Sequence, residues 1–253
     1  MPEVAGDDEG GSVLSIIGKI LDIFYPRRCA ICDKVLPVNE KYLCQGCEKL
    51  LKYTGEEYCL RCGRPVDDRQ EYCPSCQGKE VSFCSGRSLF LYDTVLKESI
   101  IRFKYHGRQE YAAFYAKEMY QAFKKWIRQI CPDALIPVPI HKARYRKRGY
   151  NQAEVLAREL GKCSDIPVLT EYLVRGKNTL PQKELSERER LQNLNGAFYV
   201  RKMTQELYKN LNCVIIIDDI YTTGSTVEAC ARVLREEGIR KVYFLCISTG
   251  RGL

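Results

Sequence analysis

The stretch VIIIDDIYTTGST, residues 214–226, constrains the fold more than any other part of this 253-residue chain. The four β-branched residues Val214–Ile217 predict a strand that is buried on both faces of a parallel sheet. Asp218 and Asp219 would then lie at the carboxyl end of that strand, where open α/β sheets bind their ligands. The next five residues, which we call the phosphate loop, supply hydroxyls, backbone N–H groups and one glycine before a predicted helix over Val227–Glu237, an arrangement that suits a phosphate group. They are Thr222, Thr223, Gly224, Ser225 and Thr226.

Two carboxylates beside such a loop predict a ligand with hydroxyls next to its phosphate, because the acids alone would repel a phosphate. A ribose 5-phosphate meets this requirement, and the thirteen residues resemble the signature of type I phosphoribosyltransferases. That resemblance implies that Asp218 and Asp219 hold the ribose hydroxyls of phosphoribosyl pyrophosphate (PRPP), with Mg²⁺, and that Thr222–Thr226 hold its 5-phosphate. The alternative is a Rossmann-like strand whose acids cap a helix. The chain has no GxxxxGK[ST] motif, and no GxGxxG follows a strand.

Eight of the fourteen cysteines form four CxxC pairs, separated by eleven, eleven and ten residues. This spacing predicts two consecutive four-cysteine zinc ribbons with two structural Zn²⁺ ions. Sequential pairing is favoured, because each short insert can close its own ribbon, but interleaved pairing stays open, as do a disulfide framework and an iron–sulfur site. The six other cysteines are most simply core thiols of a reduced, cytoplasmic protein. The eight candidate ligands are Cys29, Cys32, Cys44, Cys47, Cys59, Cys62, Cys73 and Cys76.

The zinc-ribbon spacing and the strand pattern together divide the chain into three parts. Residues 1–12 are predicted to be a disordered tail, residues 13–84 an N-terminal helix with the double zinc ribbon, and residues 85–253 a phosphoribosyltransferase-like domain whose mostly parallel sheet is flanked by helices. The predicted helix, Val13–Phe24, is too short to span a membrane, and no other apolar run is long enough. Eight thiolates and two zinc ions lower the formal net charge from +8 to about +4, so charge alone does not indicate a nucleic-acid partner.

A strongly basic run follows a predicted strand over Ala134–Val138. It places five cations within seven residues and includes no acid, and Gly149 follows it just before a predicted helix. A solvated turn is one interpretation. The position at the ligand-binding end of the sheet favours a second interpretation, in which the cations contact pyrophosphate. Tyr145 and Tyr150 lie among the cations and suggest a third, contact with single-stranded DNA, since aromatic rings can stack on bases. The five cations are Lys142, Arg144, Arg146, Lys147 and Arg148.

A narrower resemblance rests on three segments together with the cysteine pattern. The segments PVPIHKARYRKRGYNQAEVLAREL, TLPQKELSERERLQNLNGAF and DDIYTTGST occur in this order and resemble the ComF family of competence-associated proteins. Members of that family are phosphoribosyltransferase-like chains that often begin with a double zinc ribbon. The resemblance runs from about Ile23 to Ser248. It implies a role in uptake of transforming DNA into the cytoplasm, with PRPP, single-stranded DNA and other competence proteins as partners, but no agreed reaction.

The polar segment Arg175–Asn195 interrupts the alternation of strands and helices. In the resembled enzymes a mobile loop at this place closes over pyrophosphate, where cations offset the charge of the leaving group. An exposed helix over Ser186–Leu194 is the alternative. Purine salvage enzymes carry a third acid where this chain has Thr222, which argues against a purine acceptor. The candidates for pyrophosphate contact are Arg144, Arg148, Gln182, Lys183, Arg188 and Arg190.

Three functions are compatible with these motifs. The first is a PRPP-binding protein that works in DNA uptake without turnover. The second is an active transferase with an unidentified, non-purine acceptor. The third is a zinc-ribbon adaptor for nucleic acid that no longer binds PRPP. The intact acid pair, Asp218 and Asp219, together with the intact phosphate loop, argues against the third.

Overall fold

The computed structural model describes residues 26–37, 39–67, 69–177, 194, 196–202, 208 and 210–250. The predicted tail and the predicted helix Val13–Phe24 lie outside these residues. The chain divides into two compact units, Met1–Leu50 and Leu51–Leu253. We call residues 26–50 the first ribbon and residues 51–84 the second ribbon. The second ribbon therefore belongs to the same unit as the α/β domain, whereas the division predicted from the sequence placed both ribbons before residue 85.

The larger unit is built on a four-stranded sheet. All three neighbouring pairs of strands are parallel, in the order β1-β6-β5-β2, which confirms the predicted parallel α/β architecture. A short antiparallel pair, β3 and β4, forms a separate two-stranded sheet. The six strands are β1 (Ser85–Leu91), β2 (Ala134–Pro137), β3 (Leu173–Arg175), β4 (Phe198–Val200), β5 (Cys213–Tyr221) and β6 (Lys241–Thr249).

Helices connect the parallel strands, and several begin where a side chain can cap them. Asp93 accepts a hydrogen bond from the Leu96 N–H, and Asn151 accepts one from the Ala153 N–H. The basic run is helical rather than a turn. The helices are α1 (Gln45–Glu48) in the first ribbon, then α2 (Thr94–Tyr105), α3 (Tyr111–Ile130), α4 (Lys142–Arg148), α5 (Gln152–Ser164) and α6 (Ser225–Glu236).

The core of the larger unit includes the second ribbon. Val214 and Ile216 of β5 belong to one buried cluster with Cys230 of α6 and with all four cysteines of the second ribbon. Phe83 meets the ring of Phe244 edge-on, with the ring centroids 5.1 Å apart. Because aromatic rings bury large apolar areas, this contact makes the ribbon part of the domain interior rather than an appendage.

Backbone hydrogen bonds also join the second ribbon to β1, which is an edge strand of the sheet. The Leu91 N–H donates to the Lys52 carbonyl at 2.7 Å, and the Thr54 N–H donates to the Leu89 carbonyl at 3.1 Å. Farther along the strand, the Gly86 N–H donates to the carbonyl of Arg61 at 2.9 Å. The ribbon thus satisfies backbone groups that an open edge would leave unpaired.

Among the described residues, the helices are too short or too polar to cross a membrane.

Candidate functional site

The acid pair lies toward the carboxyl end of β5, which continues past it to Tyr221. Asp218 is opposite Cys246 of β6, and both carboxylates are partly buried. The Asp219 N–H donates to Asp218 Oδ1 at 2.8 Å. Burial of the carboxyl raises the pKa of Asp218 to about 7, and the negative charge of Asp219 adds to this effect. Asp218 is therefore poised to gain or lose a proton near neutral pH.

Lys104 of α2 forms an ion pair with the second aspartate. Its Nζ lies 2.8 Å from Asp219 Oδ1, and the two side chains are only 17% and 14% exposed. A buried ion pair of this kind is weak evidence for stability, because desolvation of both charges offsets their attraction. The ion pair matters more for the site, because it places a cation at the carboxyl end of β5.

A second buried cation comes from β3. Arg175 is 7% exposed, and its guanidinium lies over the ring of Phe198, 5.3 Å from the centroid. Burial lowers the pKa of Arg175 to about 10, the positive charge of Arg144 lowers it further, and the charge of Asp218 opposes the shift. In the sequence, Arg175 was recognised only as the start of a polar segment. Its position at the end of an apolar strand was a usable indication of a site residue.

The five cations of the basic run do not act as one cluster. Arg148 donates through Nη1 to Gln152 Oε1 at 2.6 Å and through Nη2 to the hydroxyl of Tyr105 at 2.9 Å. Burial, followed by the charge of Arg148, lowers the pKa of Arg144. Arg144 is thus close enough to Arg175 for its charge to lower the pKa of that arginine, and Arg148 is held by the last residue of α2 and the first residue of α5. The other three, Lys142, Arg146 and Lys147, are exposed on α4.

The two tyrosines predicted to stack on bases also separate. Tyr145 is 51% exposed, whereas Tyr150 is 6% exposed and its hydroxyl donates to the carbonyl of Phe103. The prediction that Tyr150 stacks on bases is wrong, because its ring is buried beside the ring of Phe103. The tyrosines and cations that alternate in the sequence therefore do not form one continuous surface.

The phosphate loop joins β5 directly to α6. Gly224 has φ +82°, and a Cβ there would collide with the hydroxyl of Tyr221, so the turn needs glycine. The hydroxyls of Thr223 and Ser225 lie 2.8 Å apart. Because α6 begins at Ser225, the last two residues of the loop belong to its first turn, where N–H groups and the helix dipole favour an anion.

A cavity of about 400 Å³ separates the middle of this loop from the second ribbon. One wall is the loop, and the opposite wall comes from the second ribbon. The residues that line it include Thr223, Gly224, Ser225, Tyr221, Glu228 and Arg64.

Each ribbon holds four cysteines whose sulfurs lie within 4.8 Å of one another. The two groups contain the first two and the last two CxxC pairs, so the cysteines group sequentially rather than interleaved. In the first ribbon the Cys44 N–H donates to Cys29 Sγ at 3.5 Å, as is usual for a thiolate in a metal knuckle. Four thiolates at this separation suit tetrahedral zinc, and the chain has two structural zinc sites.

Comparison with known proteins identifies the family. The chain is 33% identical over 223 residues to competence protein F of Haemophilus influenzae, covering 87% of this chain and 95% of that one. This chain belongs to the ComF family. It is 29% identical over 231 residues to competence protein ComFC of Bacillus subtilis, covering 83% of this chain and 89% of the relative. It is 28% identical over 198 residues to DNA utilization protein YhgH of Escherichia coli K12, covering 77% and 85%.

Two further comparisons concern parts of the ComF chain. The double zinc ribbon domain family matches residues 20–77. A purine phosphoribosyltransferase from Pyrococcus horikoshii Ot3 aligns with a TM-score of 0.32 and 13% identity, over 55% of this chain and 84% of that structure. A score this low adds nothing to the assignment of the family.

The residues of the candidate site in this ComF chain, whether predicted from the sequence or added by the structure, fall into three groups. The acid pair and the whole phosphate loop are contiguous from β5 into α6, whereas Arg144 is near Arg175 and Arg148 is bonded to Tyr105. Lys104 and Arg175 were not predicted from the sequence as site residues. Four predicted pyrophosphate contacts lie outside the described residues, namely Gln182, Lys183, Arg188 and Arg190.

Proposed function

We propose that this ComF protein binds PRPP at the carboxyl end of β5 and works in the handling of incoming DNA. The observation that carries the proposal is the order of groups along β5: two acids, each beside a buried cation, then a glycine-containing loop and a helix N-terminus. Lys104 lies beside Asp219, and Arg175 is close enough to Asp218 for each charge to affect the other's pKa. The relatives named for competence and for DNA utilization support the second half of the proposal.

The chemistry of PRPP matches these groups one by one. The ribose 2- and 3-hydroxyls can donate hydrogen bonds to Asp218 and Asp219. The loop N–H groups and the hydroxyls of Thr223 and Ser225 can hold the 5-phosphate. Arg144, Arg148 and Arg175 supply positive charge for the diphosphate.

The donor set also fits Mg²⁺, which prefers one or two carboxylates together with phosphate oxygens. The acid pair, Asp218 and Asp219, would supply the protein's share of the ligands. The ion would neutralise charge on the diphosphate. The residues of the chain would bind and orient the sugar.

The test is calorimetric titration with PRPP and Mg²⁺, compared with inorganic phosphate. Asp218→Asn combined with Asp219→Asn should weaken PRPP binding by ~1.5–3 kcal/mol for each charge-assisted hydrogen bond removed. Binding of inorganic phosphate should be weakened much less, because phosphate lacks the ribose hydroxyls. Asp165→Asn is the matched control, since Asp165 is exposed and already has φ +59°, which asparagine tolerates. Equal weakening of both ligands would contradict the assignment.

The titration of Asp218 gives a second readout of the same experiment. Its pKa of about 7 in the folded protein lies above the ordinary value of 3.8, so part of the population is protonated at neutral pH. A ligand hydroxyl needs the ionised carboxylate as its acceptor. We expect PRPP binding to release protons and to tighten as pH rises through 7. Titrations in two buffers of different protonation enthalpy would measure this release, and Asp218→Asn should abolish it.

A transferase with a non-purine acceptor is the second candidate function. The acid pair and the buried cations would equally favour turnover, since positive charge beside the diphosphate stabilises a leaving group. Of the two histidines, His141 accepts a hydrogen bond from the Ala143 N–H through Nδ1 and so caps α4. This structural role makes His141 a poor candidate for a general base. Release of pyrophosphate from PRPP with an acceptor present, abolished in the double aspartate variant, would establish turnover.

Contact with single-stranded DNA is proposed for the exposed side of α4. Lys142, Arg146 and Lys147 are exposed there together with Tyr145. Changing the three cations to Ser should reduce the slope of log affinity against log salt by ~0.7 for each DNA phosphate that the protein no longer neutralises, with PRPP binding unchanged. An unchanged slope would remove α4 from the DNA interface. The competing adaptor hypothesis predicts that DNA binding depends on the ribbons and survives the double aspartate variant.

A further inference from the structure

The second ribbon contacts the rest of its unit at both ends of the phosphate loop. We propose that this ribbon positions the loop, so that zinc at its four cysteines and a phosphate ligand at Thr222–Thr226 stabilise each other. The inference rests on the proposed PRPP site and adds its regulation. Arg64, Ser82 and Glu228 are the positioning residues.

The first attachment holds the chain just before the loop. Arg64 lies two residues after Cys62, and its carbonyl accepts a hydrogen bond from the Cys59 N–H at 2.7 Å, so it is part of the metal knuckle. Its Nε donates to Thr249 Oγ1 at 3.3 Å, and that hydroxyl donates to the Tyr221 carbonyl at 3.2 Å. The guanidinium also lies over the Tyr221 ring, 5.3 Å from its centroid. Tyr221 is the residue immediately before Thr222.

The second attachment holds the helix that follows the loop. Glu228, in the first turn of α6, accepts two hydrogen bonds from Ser82 of the second ribbon. One comes from the Ser82 N–H at 2.9 Å and the other from its hydroxyl at 2.7 Å. The Glu228 N–H donates to the Gly224 carbonyl at 2.8 Å. A movement of Ser82 would therefore be transmitted through Glu228 to the turn that contains Gly224.

Aromatic rings connect these two attachments beneath the loop. The Tyr221 ring stacks on Phe244, with centroids 4.7 Å apart and planes 5° apart, and Phe244 meets Phe83 of the second ribbon edge-on. The Tyr221 hydroxyl occupies the space that a Cβ of Gly224 would need. A shift of Tyr221 would therefore be transmitted to the glycine turn, because packed interiors leave little room for independent movement.

Between its two fixed ends the loop faces the cavity of about 400 Å³. The middle of the loop is thus not packed against the ribbon and can adjust to a phosphate, while the ends are held in place. Structural zinc supplies much of the folding free energy of a small ribbon. Loss of zinc from the second ribbon would release both ends, and a phosphate ligand would then have to reorder the loop on binding. By linkage, the ligand must slow zinc loss to the same extent.

Hydrogen exchange of the full chain tests the attachments directly. Glu228→Gln keeps one acceptor but places a donor against Ser82, and we expect the amides of residues 222–226 to exchange roughly tenfold faster, since one charge-assisted hydrogen bond is removed. Ser82→Ala should give a smaller increase. Glu236→Gln, an exposed substitution on the same helix, is the control and should change nothing. Zinc content must stay at two ions per chain in all three variants.

Zinc release tests the linkage. The protein is treated with a chelator and a thiol-alkylating reagent, and mass spectrometry follows the labelling of each ribbon separately. With PRPP and Mg²⁺ at about 100-fold its Kd, labelling of the second ribbon should slow by up to ~100-fold, whereas labelling of the first ribbon should keep its rate. Glu228→Gln should shrink this protection.

The outcomes distinguish this inference from the proposed function. If the wild-type chain does not bind PRPP but Glu228→Gln still accelerates loop exchange, the proposed function fails and the positioning role stands. If PRPP binds, and neither loop exchange nor PRPP affinity changes when the second ribbon loses its zinc, the positioning role is overturned. Equal protection of both ribbons by PRPP would also overturn it.

Discussion

The two ribbons share one cysteine spacing but have different surroundings. In the second ribbon all four cysteines are buried, and they belong to the core of the α/β unit. In the first ribbon Cys32 and Cys44 are partly exposed, and the compact unit ends at Leu50. Spacing alone therefore determines the metal site. The residues around each CxxC pair determine whether the ribbon becomes part of a larger core.

One pair of equivalent residues shows how the sequence makes this difference. The residue after the second cysteine has a left-handed backbone in both ribbons, with φ +64° at Asp33 and φ +70° at Gly63. The Asp33 carboxylate lies 3.8 Å from the Arg28 guanidinium. A Cβ at Gly63 would lie 2.6 Å from the Gly86 carbonyl oxygen and 2.8 Å from the Arg87 Cα. The missing side chain is what allows the second ribbon to approach β1.

The largest expected effect comes from removing zinc ligands from one ribbon at a time. Cys73→Ser with Cys76→Ser should destabilise the unit 51–253 by at least ~4 kcal/mol, which is roughly 10 °C in Tm, because the ligands lie in its core. Cys44→Ser with Cys47→Ser should leave the main thermal transition unchanged. Both variants should bind one zinc ion. Calorimetry and metal analysis measure the two quantities, and equal shifts in Tm would show that the ribbons are equivalent after all.

A smaller effect is expected from exchanging Gly63 and Asp33, the residues that follow the second cysteine of the first CxxC pair in each ribbon. Gly63→Asp should cost about 2–4 kcal/mol, because it adds a side chain at positive φ against the backbone of β1. Asp33→Gly should change stability by less than ~1 kcal/mol, since relief of the backbone strain offsets the entropy of glycine. Chemical denaturation of each variant measures the costs. A tolerated Gly63→Asp would mean that the ribbon can move away from β1 without loss of stability.

The smallest effect is expected at the next position in each ribbon, which is Arg64 in the second ribbon and Lys34 in the first. Arg64→Gln should cost ~1–3 kcal/mol, because it removes packing and the hydrogen bond to Thr249. Lys34, its equivalent in the first ribbon, is exposed, so Lys34→Gln should stay within about 0.5 kcal/mol. Arg64→Lys, which keeps the charge, separates the contribution of charge from that of geometry. If Arg64→Gln and Lys34→Gln cost the same, the buried arginine contributes no more than a surface lysine.

Local patterns explain what the sequence could predict. The strand ending at Asp218 and Asp219, the loop after it and the four CxxC pairs each depend on neighbours within about a dozen residues. The strand over Ala134–Val138 and the helix over Val227–Glu237 were predicted for the same reason, because periodicity is a local property.

The remaining site residues depend on distant neighbours. Lys104 pairs with an aspartate 115 positions later, and in its own helix it resembles any surface lysine. Ser82 and Glu228 are 146 residues apart. The basic run shows a different limit. Its composition is clear in the sequence, but only the structure shows that Arg148 is partly buried and bonded to Tyr105 while Arg146 is exposed.

The backbone hydrogen bonds between β1 and the second ribbon, at Lys52, Thr54 and Arg61, have a consequence for protein quality control. Without a folded second ribbon, β1 would present unpaired N–H and carbonyl groups, and strand edges of this kind pair readily with other chains. When zinc is scarce, we therefore expect the protein to self-associate through β1 while the rest of its sheet is still intact. Light scattering during chelation should rise for the wild-type chain, and it should do so only as the second ribbon, not the first, becomes open to thiol reagents.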